Sequence, residues 1–281
     1  MNSLEVRIDS HQHFWKYDPV RYGWIGDNMK SIRRDFLPKD LQPLLNKHNF
    51  NGCIAVQADQ SEAETEFLLN LAENNSFIKG VVGWIDLSYP DVASRLKKYA
   101  QYSLLKGIRH TVYDQNGEYL LDPAFQNGIS QLKDFDLTYD ILVFDYQLPG
   151  AVELVKRFPD QPFVLDHMAK PQISRGITSE WKKNIQNLAA LKNVYCKISG
   201  MVTETENFSW TAKEFIPFLD VIYESFGEDW LMFGSDWLMS LTAATYSEIL
   251  SIVQEYFSAY SEEIQSKIFG RNAAEFYNLE I

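Results

Sequence analysis

The chain predicts a single-domain (β/α)8 barrel, a TIM barrel of the α/β class spanning residues 1–281. Three observations carry this. Eight short apolar runs alternate with helical patterns, no linker or charge block separates them, and polar residues gather at the ends of the runs. Repeated strand-then-helix order implies parallel strands joined by helical crossovers. About 250 residues is the usual length for eight such units. An open doubly wound sheet is the competing arrangement, but no glycine-rich fingerprint follows the first strand.

Taken in order, the first run covers residues 6–9 and leads through an aromatic loop to a helix over 38–48. A strand at 53–57 precedes a helix over 61–73, where Phe67, Leu68 and Leu71 fall at helical spacing and acidic residues enrich the first turn. The run 79–85 feeds a helix at 91–100, and 104–108 one at 124–133. Strand 139–144 is followed by helix 150–157, and 163–165 by helix 178–191. The last two units pair 194–198 with 211–226, and 231–234 with helices at 244–260 and 262–277.

Composition narrows the function classes. Hydrophobic residues at 46% and charged residues at 23% suit a globular chain with a sizeable core. The formal charge of -12 argues against nucleic acid, which needs a basic face. No run of about 18 apolar residues suggests a membrane span. The first residues lack a basic stretch followed by an apolar one, so no secretory signal is expected. Cys53 and Cys196 lie in apolar stretches and read as buried free thiols, which suits the cytoplasm. Nothing in the pattern specifies an oligomeric state.

Barrel enzymes carry their chemistry at the C-terminal ends of the strands. Those ends read His11-Gln12-His13, Gln57, Trp84-Ile85-Asp86, Arg109-His110, Phe144-Asp145, Asp166-His167, Lys197-Ile198-Ser199 and Ser235-Asp236-Trp237. Four of the five histidines fall there, and only His48 does not. In an extended strand, residues i and i+2 share a face about 7 Å apart. His11 and His13 are therefore expected on one face with Asp9, with Val6 and Ile8 turned outward under the helices. Together with His167 and Asp236 they could bind a divalent metal. Equally, they could surround a carbonyl with hydrogen-bond donors while Asp236 acts as general base. Arg109 has the planar fork that clamps a carboxylate or hydroxyl-rich substrate, and an ion pair at the rim is its plainer role. Gln57, Trp84, His110 and Lys170 are further substrate-binding candidates. So is Trp15, from an aromatic loop that either walls a sugar pocket or packs over the barrel mouth.

These segments resemble the amidohydrolase superfamily, in particular its lactonase branch with the L-fuconolactone and L-rhamnonolactone hydrolases. The matching stretches are Ile8-Asp9-Ser10-His11-Gln12-His13-Phe14-Trp15, Val56-Gln57-Ala58, Lys106-Gly107-Ile108-Arg109-His110, Val164-Leu165-Asp166-His167-Met168-Ala169-Lys170-Pro171, Cys196-Lys197-Ile198-Ser199-Gly200 and Phe233-Gly234-Ser235-Asp236-Trp237. The resemblance implies hydrolysis of a small sugar-acid lactone to the aldonic acid. Asp236 would take a proton from water, with His11, His13 and His167 around the water and the carbonyl. It implies either no required cofactor or one divalent metal such as zinc on those four residues, since a lactone is already an activated ester. No histidine ends the fifth strand, which argues against a two-metal site. A metal-dependent decarboxylase or another amidohydrolase-like hydrolase is the alternative reading, and a silent sugar-binding barrel a third. The chain departs from the family pattern at residues 111–115, where a Gln and a Glu are expected, and at Leu238, where proline is expected.

Overall fold

Strand and helix alternate around a ring. The computed structural model describes residues 6–112 and 117–280. Its eight strands are β1 (Ile8–Gln12), β2 (Gly52–Val56), β3 (Ile78–Gly83), β4 (Leu105–Thr111), β5 (Thr138–Leu142), β6 (Phe163–Leu165), β7 (Val194–Ile198) and β8 (Leu231–Phe233), each parallel to the next in sequence order. Closure runs through the loop ends of the first and last strands: His13 N–H donates to Trp237 O at 2.7 Å, and Asp236 N–H to His11 O at 2.8 Å. The major helices are α1 (Pro38–Lys47), α2 (Glu62–Asn74), α3 (Val92–Tyr99), α4 (Pro123–Leu132), α5 (Leu148–Arg157), α6 (Ser179–Ala189), α7 (Ala212–Phe226) and α8 (Tyr246–Phe257). The expected (β/α)8 barrel is the fold observed.

Local chemistry explains where the helices start. Ser61, Asp122 and Thr178 each accept a backbone N–H of the first turn of α2, α4 and α6, filling donors that a helix N-terminus leaves open. At α8, Thr245 and Glu248 cap one another reciprocally. The helix expected over 262–277 is present over 262–276 as α9 (Glu262–Ser266) and α10 (Asn272–Phe276), continuous through a π-helical turn at Lys267–Arg271. Among the described residues, no helix is long and apolar enough to cross a membrane.

One departure bears directly on the site. Ile8 pairs with Gly52 and Asp9 with Cys53, but Gln12 pairs with Ala55, so β1 carries one extra residue between Asp9 and Gln12. Such a bulge reverses the alternation of side chains beyond it. Ile8 therefore joins Ile54, Val56, Val82, Val164 and Met232 in the cluster on which Ala273 and Tyr277 pack, rather than pointing outward. Asp9 does not share a face with His11; it accepts the Tyr246 hydroxyl of α8 at 3.2 Å. Its other oxygen accepts the N–H groups of Ser235 at 2.9 Å and His11 at 3.2 Å, tying β1 to β8 just below the mouth. Burial pushes its carboxyl up to about 6, against the pull of those donors.

Candidate active site

At the C-terminal end of the barrel, four buried side chains converge. Asp236 Oδ1 lies 3.4 Å from His13 Nε2 and 4.0 Å from both His11 Nε2 and His167 Nε2. The rings of His11 and His167 stand 4.4 Å apart, and those of His11 and His13 5.0 Å. All four residues expected from the sequence therefore meet at one point. His11, His167 and Asp236 each offer a ligand atom, and those atoms lie within 4.8 Å of one another.

The backbone pays for this convergence. His167, Met168, Ala169 and Lys170 form a left-handed run with φ of 52°, 54°, 61° and 48°, and Asp236 has φ 51°. Left-handed backbone costs a non-glycine residue on the order of 1–3 kcal/mol, and such strain gathers at functional sites. The Trp181 indole N–H, donating to Met168 O at 3.0 Å, braces the run from α6. Gly200, itself at φ 67°, lies beneath it: a Cβ there would stand 2.7 Å from His167 Nδ1.

Hydrogen bonds assign the imidazole protons. Val56 O only accepts, so His13 Nδ1, 2.8 Å away, carries a proton and Nε2 faces Asp236. His167 Nδ1 meets the Ser199 hydroxyl at 2.8 Å, which can donate or accept. His11 is hemmed in by cations on both sides: Lys197 Nζ is 3.1 Å from Nδ1, and Arg109 Nη1 is 3.2 Å from Nε2. Asp166 Oδ1 stands 3.3 Å from Nδ1, whereas the carboxylate oxygen of Asp236 is 4.0 Å from Nε2. Lys197 has Asp140 and Asp166 to donate to, so its approach to Nδ1 is a close charge contact and not a hydrogen bond. The proton is placed on Nδ1 facing Asp166, and Nε2 keeps the lone pair that Arg109 addresses.

Charge follows the same logic. Burial alone would raise Asp236, but the imidazoles of His167, His13 and His11 outweigh it and hold the carboxyl well below the usual carboxylate range. Burial lowers His167 to about 4, against the pull of Asp236 and Asp166. It drives His11 well below the ordinary histidine value, helped by Lys197 and His167 and opposed by Asp166. The site thus presents an ionised carboxylate beside two neutral imidazoles at neutral pH.

Beneath this group lies a buried ion cluster of which sequence reading assigned only Arg109 to the site, with an ion pair as its plainer role. Lys197 Nζ contacts Asp140 Oδ2 at 2.5 Å and Asp166 Oδ1 at 3.0 Å, and Arg109 Nη1 donates to Asp166 Oδ2 at 3.0 Å. The Tyr277 hydroxyl donates to Asp140 Oδ2 at 2.8 Å. Two carboxylates thus balance two cations out of water. Despite burial, Lys197, His11 and Arg109 hold Asp166 well below the carboxylate range; burial, with Asp166 adding to it, raises Asp140 to about 6 against Lys197. The available signal was position: Asp140 and Lys197 are charged residues inside otherwise apolar strands, where they need partners.

The remaining candidates divide. Arg109 points inward, donating to the Gln57 carbonyl as well as to Asp166 and His11, so it reaches the site from within the ion cluster. Gln57 donates through Nε2 to Arg109 O at 3.1 Å, and its Oε1 is buried with no partner among the described residues; the same holds for Trp84 Nε1. His110 is not brought to the cluster. Alternation along β4 turns it away from Arg109, its Nε2–H donates to Ile85 O at 2.7 Å, and its ring stacks on Trp84 at 5.4 Å and meets Phe125 of α4. Lys170 pairs with Glu204, and its charge still acts on His167. Trp15 is fully buried, donates to Arg34 O at 2.8 Å and packs on Phe36, which in turn packs on Trp237. The aromatic loop at this residue thus packs over the mouth. Of the two departures from the family pattern, residues 113–116 lie outside the described residues, and Leu238 is buried behind a cis peptide after Trp237. Cys53 and Cys196 are buried free thiols, as expected.

Comparison with known proteins places this geometry in context. A family model described as amidohydrolase matches residues 8–279. An L-fucono-1,5-lactonase of Burkholderia multivorans is 38% identical over 289 residues, covering 98% of this chain and 96% of that protein. An L-fucono-1,5-lactonase of Burkholderia ambifaria is 32% identical over 282 residues, covering 99% and 97%. A solved amidohydrolase from Burkholderia multivorans with bound Zn superposes with a TM-score of 0.94 at 38% identity, covering 98% of this chain and 100% of that one.

Proposed function

The chain belongs to the amidohydrolase family, and on that premise we propose that it is a lactonase opening a small sugar-acid lactone, such as L-fucono-1,5-lactone, to the aldonic acid. Near-full-length similarity to two L-fucono-1,5-lactonases supports ring opening over decarboxylation. The observation that carries the mechanism is Asp236, a carboxylate held ionised among three imidazoles within 4.0 Å.

In this reading Asp236 takes a proton from water as the water oxygen attacks the lactone carbonyl carbon. His13, whose Nε2 faces Asp236 at 3.4 Å, is placed to receive that proton. His167 presents Nε2–H to the developing oxyanion when the Ser199 hydroxyl donates to its Nδ1. The tetrahedral species collapses by breaking the bond to the ring oxygen, which takes up the proton and becomes a hydroxyl. The product is an open-chain carboxylate. Gln57 Oε1 and Trp84 Nε1, without partners among the described residues, are an acceptor and a donor suited to sugar hydroxyls. His11, His167 and Asp236 fit one divalent metal as a compact set of two imidazoles and a carboxylate. When bound, such an ion polarises a carbonyl or acidifies water. The two buried free thiols suit a reducing cytoplasm.

A panel of aldonolactones assayed by acid release tests the reading, with Asp236→Asn as control. Turnover of at least one sugar lactone is expected, falling at least about a hundredfold in the variant. Full activity in Asp236→Asn would remove that residue from the mechanism.

A further inference from the structure

We infer that Arg109 sets the metal affinity of this site, because its guanidinium occupies the His11 lone pair that a divalent cation would need. The inference rests on the assignment of His11, His167 and Asp236 as the reacting centre. Arg109 Nη1 lies 3.2 Å from His11 Nε2, the nitrogen directed at Asp236. A guanidinium has donors only and does not deprotonate in proteins, so the contact requires an electron pair on Nε2. Asp166 Oδ1, 3.3 Å from Nδ1, accepts the ring proton in that form. Lys197 Nζ, although 3.1 Å from Nδ1, then directs its donors to Asp140 and Asp166 and makes no hydrogen bond to the ring. The arginine is not free to leave at little cost: Asp166 Oδ2 at 3.0 Å and the Gln57 carbonyl hold its two terminal nitrogens, and it is 4% exposed.

Two consequences follow. A cation entering between His11, His167 and Asp236 competes with Arg109 for one lone pair, and it meets a fixed positive charge in contact with one of its ligands. At contact range, even a water-like dielectric makes that repulsion worth at least about tenfold in affinity. A donor set that fits a metal by residue type is thereby kept weak for it, and the neutral His11 is held in the tautomer needed for metal-free work. The device costs no additional residue, since Arg109 also balances Asp166.

The test titrates chelator-stripped protein with zinc alone, read by calorimetry and by competition with a chromophoric chelator. Arg109→Met is expected to bind zinc at least about tenfold more tightly than the wild type, and Arg109→Lys, which keeps the charge, to stay within about threefold of it. Affinity in Arg109→Met equal to or weaker than wild type overturns the inference, as does tightening in Arg109→Lys as large as in Arg109→Met. Nitrogen NMR of the wild-type histidines needs no variant: His11 Nε2 is expected unprotonated near neutral pH, and a protonated Nε2 overturns the inference even where Arg109→Met fails to fold. Lactone turnover by the stripped wild type is measured alongside. Absence of turnover both in the stripped protein and after zinc is restored would sink the lactonase reading and leave the zinc comparison standing.

Discussion

Replacing Lys197 with methionine removes one charge from the ion cluster while keeping most of the side-chain stem. The ammonium group is fully buried and sits 2.5 Å from Asp140 Oδ2 and 3.0 Å from Asp166 Oδ1. Without it, two buried carboxylates share a single cation, Arg109, which reaches only Asp166. Breaking a buried pair by removing one partner costs about 3–5 kcal/mol. Part of this is relieved by protonating Asp140, whose carboxyl is already raised to about 6. Taking up that proton at pH 7 costs about 1.4 kcal/mol, one unit's worth, before the cation is lost. The expected loss at pH 7 is about 3–5 kcal/mol, or a melting temperature lower by roughly 5–9 °C in a chain of 281 residues. The sign with pH is definite. A carboxyl with its folded value raised above the unfolded one favours folding below the unfolded value and loses that support as pH rises through the folded value. The deficit of Lys197→Met should therefore shrink between pH 7 and pH 5. Adding Asp140→Asn removes the stranded charge and should recover about half of the loss at pH 7. Scanning calorimetry of wild type, single and double variants across that range is the assay. A single-variant loss below about 1 kcal/mol, or a double variant no better than the single, would refute the reasoning.

Two further outcomes follow from the same structure. Glu64, 1% exposed on α2 with Ala58 N–H on its Oε1 at 3.2 Å, is raised by burial to about 7 from 4.5. Its contribution to stability is present below pH 4.5 and lost by about pH 7, a change of about 3 kcal/mol. Glu64→Gln should thus gain on wild type across that window in denaturant titrations, and a difference flat from pH 4.5 to 8 would contradict it. Gly200→Ala places a methyl 2.7 Å from His167 Nδ1 at a φ of 67°. It should lower kcat about tenfold or more with little change in KM, whereas unchanged kcat in a folded variant would show that His167 has room to shift.

The eight strand-helix units were legible because their signals are local: apolar runs of strand length, helical spacing such as that of Phe67, Leu68 and Leu71, and the acidic first turn of α2. The meeting of His11, His13, His167 and Asp236 was legible too, since a parallel barrel carries every strand's C-terminal end to one face. Three things were not. The bulge in β1 moves Asp9 and Ile8 to the faces opposite those that strict alternation assigns, and a bulge is set by pairing with β2, not by the strand's own residues. The outward turn of His110 depends on which face of β4 is inner, and that was settled by Arg109 finding Asp166 inside the barrel. The cluster of Asp140, Asp166, Lys197 and Arg109 joins residues up to 88 positions apart in charge balance, and neither composition nor spacing encodes which buried charges will pair. The sequence by itself thus determined the barrel and the place of its chemistry. Tertiary structure decided the faces, the tautomers and the partners, because those depend on distances between strands that only closure of the ring creates.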